Sequence, residues 1–144
     1  MKSGSRDFID GTPIDLHTYF NKAIDIHHIF PRAWCENQKL PRDRWNSIVN
    51  KAPLAASTNR YIGGQAPSVY LARIEKDKQI DPASLSEFLS SHLIPAQQLW
   101  SDDFDGFVQN RAHALLTLIE KATGKGISGR DSEETVAAFG AKLA

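Results

Sequence analysis

The sequence predicts an α+β fold, in which a short β-hairpin and the helix after it are embedded in a mostly helical domain. Two patterns support this prediction. Residues 24–62 read as strand, loop, strand and helix, and beyond residue 66 apolar side chains recur at spacings of three and four, as in amphipathic helices. The chain has 144 residues, 41% of them hydrophobic, which is ordinary for one globular domain.

The hairpin is predicted from two short segments. In residues 24–30 apolar positions alternate as far as His28, and Pro31 ends the strand because proline cannot continue a hydrogen-bonded ladder. The polar residues 32–45 predict a connection or a short helix, and residues 47–55 predict the second strand. His28 and the histidine before it therefore lie at the end of a strand.

Helices are predicted along the rest of the chain. A helix over residues 56–62 has Ser57 or Thr58 as its expected N-cap, since a hydroxyl oxygen can accept from the first free N–H groups. The segment 104–122 is predicted to turn an apolar face to the core, with Ile119 among its core residues. Further helices are predicted at residues 67–74, at residues 81–89 and within residues 131–144.

The chain is divided into a lead-in over residues 1–20, a central domain with helical support over residues 21–127 and a C-terminal extension over residues 128–144. The lead-in reads as a loop that leads to a short extended or helical piece. The single cysteine, Cys35, excludes an internal disulfide and fits a reducing compartment, so the cytoplasm is expected. No stretch reaches the roughly 18 apolar residues of a membrane span, so no membrane partner is expected.

Charge is unevenly distributed although the net charge is zero. Between residues 22 and 60 seven basic residues stand against three acidic ones, whereas from residue 101 to the end seven acidic residues stand against five basic ones. Zero net charge argues against a protein that coats nucleic acid through bulk electrostatics. The basic half either forms a local surface that faces phosphate or is simply a solvated face.

The adjacent residues His27 and His28 suggest two roles in one site. Neighbouring side chains on a strand point to opposite sides, so the two imidazoles cannot easily ligate one metal ion. Metal-assisted hydrolysis of a phosphodiester needs a base that deprotonates water and a cation whose coordination stays partly open. Imidazole titrates near neutral pH and suits the base. The pair therefore predicts one metal ligand and one general base.

Residues around this pair give the sequence a family resemblance. The run Ile-His-His-Ile-Phe-Pro at residues 26–31, then Asn50, then Asn59 followed by Arg60, resembles the motif of HNH (ββα-metal) nucleases. The nearest branch resembled is the HNH domain of GmrSD-type restriction and antiphage defence proteins, which is often fused behind a nucleotide-hydrolysing, ParB-like domain. The resemblance covers most of residues 24–127.

This resemblance assigns the residues of the site. It makes His28 the general base and makes His27 and Asn59 the metal ligands. It makes Asn50 the side chain that fixes the loop carrying the base, and Asn50 is counted with His28 in the catalytic set. It implies a metal-dependent endonuclease that acts on DNA in a restriction or antiphage system, with a ParB-like domain or subunit as its partner.

The charge of three residues and their proximity to the motif predict that they contact phosphate: Arg60, Arg32 and Lys51. Cationic side chains bind phosphate oxygens, and arginine does so through two parallel hydrogen bonds. The cofactor is a divalent metal ion: magnesium, manganese, nickel or zinc. His27 stands where the commoner motif has a carboxylate. This exchange favours the later metals, since imidazole suits transition metals better than magnesium.

Two other functions fit the same residues. One is a module that has the HNH fold and docks nucleic acid without turnover, and the other is an RNA-cleaving or toxin nuclease. If the protein nicks DNA and EDTA abolishes the nicking, it is the enzyme rather than the docking module.

Other reactive side chains receive no primary role. His17, His92 and His113 fit no motif. Asp25 shares a strand face with the first histidine of the pair, so it is predicted either to orient that ligand or to lie in solvent. Cys35 beside the two histidines makes a poor zinc site, because no fourth ligand is near in the sequence.

Overall fold

The residues described by this computed structural model are 4–14 and 23–144. Within the first range the chain makes a turn that is closed by a bridge between Arg6 and Pro13. Phe8, at the centre of this turn, is fully buried in the hydrophobic core. The N-terminal turn therefore packs with the rest of the described chain. The remainder of the predicted lead-in, with its histidine, lies outside the described residues.

A two-stranded antiparallel sheet confirms the predicted hairpin. Strand β1 spans Ile24–His28 and strand β2 spans Lys51–Ala55, with His28 opposite Lys51 in the register. The second strand begins four residues later than predicted. The reason is local, because residues Ile48–Asn50 form a 3₁₀ turn before the chain becomes extended.

Helices account for much of the remaining structure, which confirms the α+β class. Their bounds are α1 Arg32–Asn37, α2 Arg42–Trp45, α3 Ala56–Ile62, α4 Pro67–Lys78, α5 Pro82–Ser90, α6 Ala96–Trp100, α7 Phe104–Thr123 and α8 Glu133–Phe139. Local signals explain several ends: Asp81 and Asp103 cap α5 and α7, and Gly124 ends α7 in a left-handed conformation. Helix α6 was not predicted. No helix among the described residues combines the length and apolarity needed to cross a membrane.

The predicted cap of α3 is wrong. The N-cap position is Ala55, and neither Ser57 nor Thr58 caps the helix. The carboxylate of Asp7 reaches this end from the N-terminal turn, where it accepts the backbone N–H of Ala55 at 2.9 Å and the hydroxyl of Thr58 at 2.7 Å. The carboxylate of Asp102 likewise accepts the backbone N–H and the hydroxyl of Ser68, which lies in the first turn of α4 and 34 residues away in the sequence. These partners lie too far along the chain for a local pattern to indicate them.

The core gathers around Phe30, whose ring contacts Trp34, Phe104 and Phe107 at centroid distances of 5.1, 5.3 and 5.0 Å. The N-terminal half of α7 supplies buried apolar residues to this core, as predicted. Ile119 does not belong to it, because this side chain is 48% exposed. The last turns of α7 instead line an open apolar groove of about 720 Å³ between the helix and the outer face of the hairpin.

His92 is a fully buried histidine outside the predicted motif. Its Nε2–H donates to the backbone carbonyl of Arg6 at 2.7 Å, and its ring meets the ring of Phe8 edge-on. Nδ1 has no hydrogen-bond partner among the described residues. Burial lowers the pKa of His92 from 6.5 to about 4, so the folded protein holds this imidazole neutral above that pH.

This buried histidine predicts a loss of stability in mild acid. The unfolded chain binds a proton at His92 near pH 6.5 and the folded chain only near pH 4. The contribution of His92 to stability is therefore complete above its unfolded pKa and falls as the pH drops towards the folded one, by about 2 kcal/mol between pH 7.5 and pH 5. The lowered pKa of buried His27 adds a loss in the same direction to the wild type and both variants. Urea unfolding at these two pH values should show a smaller drop for His92→Gln than for the wild type. His113→Gln, at an exposed position, is the matched control. Equal drops in all three proteins would contradict the prediction.

Candidate metal centre and general base

His27 and His28 are the last two residues of strand β1, and their side chains differ in burial. His27 points into the protein and is 3% exposed. His28 is half-buried, and its Nε2 lies 3.1 Å from Oδ1 of Asn46. Its ring also meets the ring of Trp45 edge-on, with the centroids 5.6 Å apart. The two imidazoles therefore have different surroundings, as the prediction of two roles requires.

His27 meets the amide of Asn59, which helix α3 carries. Nδ1 of His27 and Oδ1 of Asn59 are 2.6 Å apart. The other end of the same amide, Nδ2, donates to a carboxylate oxygen of Asp25 at 3.3 Å. Asp25 thereby turns the oxygen of Asn59 towards His27. Of the two alternatives predicted for Asp25, the exposed position is observed, and its carboxylate accepts from Asn59.

The electrostatics of His27 suit a metal ligand. Burial lowers its pKa from 6.5 to about 4; the bond to Asn59 opposes this shift and the neighbouring His28 adds to it. The ring is therefore neutral near pH 7, the state in which imidazole binds metal ions. Nε2 is buried and has no hydrogen-bond partner among the described residues. Because the amide oxygen of Asn59 has no hydrogen to give, Nδ1 carries the proton in this contact, and a cation bound between the two atoms would take the place of that proton.

A small polar cleft of about 110 Å³ opens beside these groups. Its lining residues are Ile26, His27, His28, Pro31, Arg32, Asn59 and Gly63. Gly63 adopts φ 62° and ψ −146°, a conformation that is essentially restricted to glycine, so a side chain here would strain the rim of the cleft. The structure therefore brings the predicted base and both predicted ligands to one opening.

Asn50 lies behind the cleft and is fully buried. Its Oδ1 accepts the backbone N–H of Phe30 at 2.8 Å, and its Nδ2 donates to the carbonyls of Phe30 at 3.0 Å and Trp45 at 2.9 Å. Its own carbonyl accepts the N–H of Ile29. Asn50 therefore fixes the loop that follows His28. Because its side chain is buried and hydrogen-bonded, it is not placed to touch a substrate.

Arg111 and Tyr70 hold the same loop, although no motif in the sequence assigned a role to either residue. The buried guanidinium of Arg111 donates to the carbonyls of Val49 and Lys51, on either side of Asn50. The buried hydroxyl of Tyr70 donates to the carbonyl of Ile29 at 2.8 Å. Burial lowers the pKa of Arg111 to about 10. The sequence did contain a signal for Arg111, because it lies on the apolar face of a predicted helix. Arginine is rarely buried without partners, so a charged side chain at this position indicates buried hydrogen bonds.

The predicted phosphate contacts are not all placed together. Arg32 lines the cleft, and its Nε lies 2.7 Å from a carboxylate oxygen of Glu36, at an exposed position. Arg60 is exposed on α3 and does not line the cleft. Lys51 lines the apolar groove instead. Of the three, Arg32 alone is in position to meet a phosphate that enters the cleft.

The donor atoms present fit a divalent cation with a mixed set of ligands. An imidazole nitrogen and an amide oxygen converge, and the open cleft leaves room for water and substrate oxygens. No group of three or more His, Cys, Asp or Glu within residues 4–14 and 23–144 is placed to hold a metal ion. Cys35 is buried, with its thiol directed at the carbonyl of Phe30, so it forms no zinc site with the histidines.

Comparisons with known proteins add a relative without a known activity. An uncharacterised protein of Methanocaldococcus jannaschii is 32% identical to this chain over 92 residues. The match covers 57% of this chain and 16% of that protein, so the matched region is a small part of the relative's length. No family model matches the chain, and no solved structure matches it.

The network of Asn50 predicts a large effect on stability. Asn50→Ala leaves the N–H and carbonyl of Phe30 and the carbonyl of Trp45 without a buried partner, which is expected to lower the free energy of unfolding by about 3 kcal/mol. Asn37→Ala, at an exposed position on α1, is the matched control and should change it by less than about 0.5 kcal/mol. Denaturant unfolding measures both. A similar small change in the two variants would show that the network does not hold the loop.

Proposed function

We propose that this chain is a metal-dependent endonuclease of the HNH type that hydrolyses phosphodiester bonds in DNA. The observation that carries the proposal is the convergence of His27 and Asn59, with Nδ1 and Oδ1 2.6 Å apart, in the cleft that His28 also lines. Strand β1, strand β2 and helix α3 supply this arrangement in the order of a ββα unit. The resemblance in sequence assigns roles to the same three residues.

Each residue has a separate task in this reaction. His27 and Asn59 would hold the cation, and His28 takes a proton from the attacking water. Arg32, at the cleft, contacts a phosphate oxygen of the substrate. A bound divalent cation would supply stabilisation of the charge that develops on the phosphorus oxygens and the 3′ leaving oxygen. Asn50 keeps the loop beside His28 in place and does not touch the substrate.

The ligand set favours a transition metal over magnesium. The contribution of the protein is one neutral imidazole and one amide, without a carboxylate directly on the cation. Because the protein would supply so few donors, we expect a divalent cation to bind more tightly when DNA is present. Manganese and nickel are therefore expected to support cleavage better than magnesium.

The biological setting is proposed from the resemblance to GmrSD-type proteins. A nuclease of this kind acts in the cytoplasm in restriction or antiphage defence, together with a ParB-like nucleotide-hydrolysing domain or subunit. The relative from Methanocaldococcus jannaschii is much longer than the region it shares with this chain, which supports a unit that also occurs within longer proteins.

Cleavage of supercoiled plasmid tests the proposal. Wild-type protein is expected to nick the plasmid with manganese or nickel and to stop on addition of EDTA. His28→Ala should lower the rate at least about 100-fold, because removing a general base typically costs 100-fold or more. This variant should still fold, with a slightly lower Tm because it loses the contacts of His28 with Asn46 and Trp45. His113→Ala, on the exposed face of α7, is the matched control and should cleave normally.

The outcomes separate the proposed enzyme from its rivals. Full activity of His28→Ala would refute the assignment of the base. Binding of DNA without cleavage by any variant would favour the docking module, and cleavage of RNA with intact plasmid would favour the ribonuclease. A plasmid nicked in EDTA would exclude metal dependence.

Metal binding is predicted to depend on two side chains from different elements. Nickel titrated into the protein with a duplex oligonucleotide, in the His28→Ala background that does not cleave, should bind with a stoichiometry near one. His27→Ala and Asn59→Ala in that background should each weaken binding by tenfold or more, an effect typical of lost metal ligands or of their direct partners. His113→Ala is again the control. Unchanged affinity in both ligand variants would place the metal elsewhere.

A further inference from the structure

The contact between His28 and Asn46 carries information about the proton on the imidazole. Nε2 of His28 lies 3.1 Å from Oδ1 of Asn46. An amide oxygen has no hydrogen to give, so this contact is a hydrogen bond only when Nε2 carries the proton. In the neutral ring the lone pair is then on Nδ1. The contact thus distinguishes the two nitrogens of the ring.

Both sides of this contact are fixed by one buried residue. Asn50 accepts the N–H of Ile29, which follows His28, and donates to the carbonyl of Trp45, which precedes Asn46. The backbone N–H of Asn46 donates to the carbonyl of Arg42, so the residue is also held at the end of α2. The position of His28 relative to Asn46 is therefore set by these hydrogen bonds to the neighbouring backbone.

The ring of Trp45 restricts the orientation of His28 further. It packs against the imidazole at an interplanar angle of 66°, and it is itself 4% exposed. Packing on Trp45 thus fixes the plane of the ring. A ring flipped by 180° in that plane would put a carbon in the place of Nε2 and lose the bond to Asn46, so the hydrogen bond selects one of the two orientations.

We propose that Asn46 is a positioning residue that holds His28 in the Nε2–H tautomer, so that Nδ1 is the atom that deprotonates water. This inference rests on the proposed function. A proton of the attacking water passes to Nδ1, and the hydroxide oxygen forms a bond to phosphorus as the bond from phosphorus to the 3′ oxygen breaks. The leaving oxygen takes a proton from solvent, and the imidazolium returns its proton to solvent. Nε2–H stays bonded to Asn46 throughout.

Two measurements on the full chain test the inference. The nitrogen chemical shifts of ¹⁵N-labelled histidine, recorded at about pH 8, identify the tautomer without any need for activity. The wild type should show His28 with its proton on Nε2, and Asn46→Ala should show a mixture of tautomers. Plasmid cleavage is then compared between Asn46→Ala, Asn46→Asp and the exposed control Asn37→Ala.

In cleavage, Asn46→Ala should lower kcat on the order of ten- to a hundredfold, the size seen when an outer partner of a metal-site histidine is removed. KM and Tm should stay unchanged. Asn46→Asp keeps an acceptor oxygen and should restore most of the rate. Wild-type kcat in Asn46→Ala, or an Nδ1–H tautomer in the wild type, would overturn the inference. If the wild type cleaves nothing, the proposed function fails, and the spectrum still decides whether Asn46 sets the tautomer.

Discussion

The buried amide of Asn50 is the constraint on which the rest of the site depends. A two-stranded sheet of five residue pairs is marginal alone, so the geometry of the hairpin must come from other contacts. Asn50 supplies them by joining the backbone of Phe30 to that of Trp45 across the loop. Arg111 holds the carbonyls on both sides of Asn50 and thereby ties the loop to the longest helix. The positions of both histidines follow from this network.

Local patterns predicted most of the elements but not helix α6, and Asn59 was assigned to the site by the resemblance in sequence rather than by a local pattern. The alternation that ends at Pro31 predicted the strand. The structure brings Asn59 to His27 because the two sit on directly adjacent parts of one hairpin and helix. Strand geometry also predicted that His27 and His28 would have different surroundings. The predictions of the strand and of the two surroundings succeeded because each depends on residues close together in the sequence, whereas His27 and Asn59 are 32 residues apart.

The remaining contacts could not be predicted, since they join distant parts of the chain. Asp7 stabilises the start of α3 across 48 residues, and Arg111 reaches Val49 across 62. A local pattern cannot reveal that a helix lacking its own cap receives one from elsewhere. Ile119 fits the apolar period of α7 but lies where nothing in the described chain covers the helix fully. Periodicity identifies an apolar face and does not determine how far along the helix that face is buried.

The two histidines also show how one fold gives identical side chains different chemistry. In the proposed site the metal ligand must be neutral, and burial keeps the imidazole of His27 neutral near pH 7. The proposed general base must exchange protons with water in every cycle, so it needs an open position. His28 has one because its ring is only half-buried and lines the cleft. A partner with a fixed acceptor, such as Asn46, then orders the ring without closing it off from solvent.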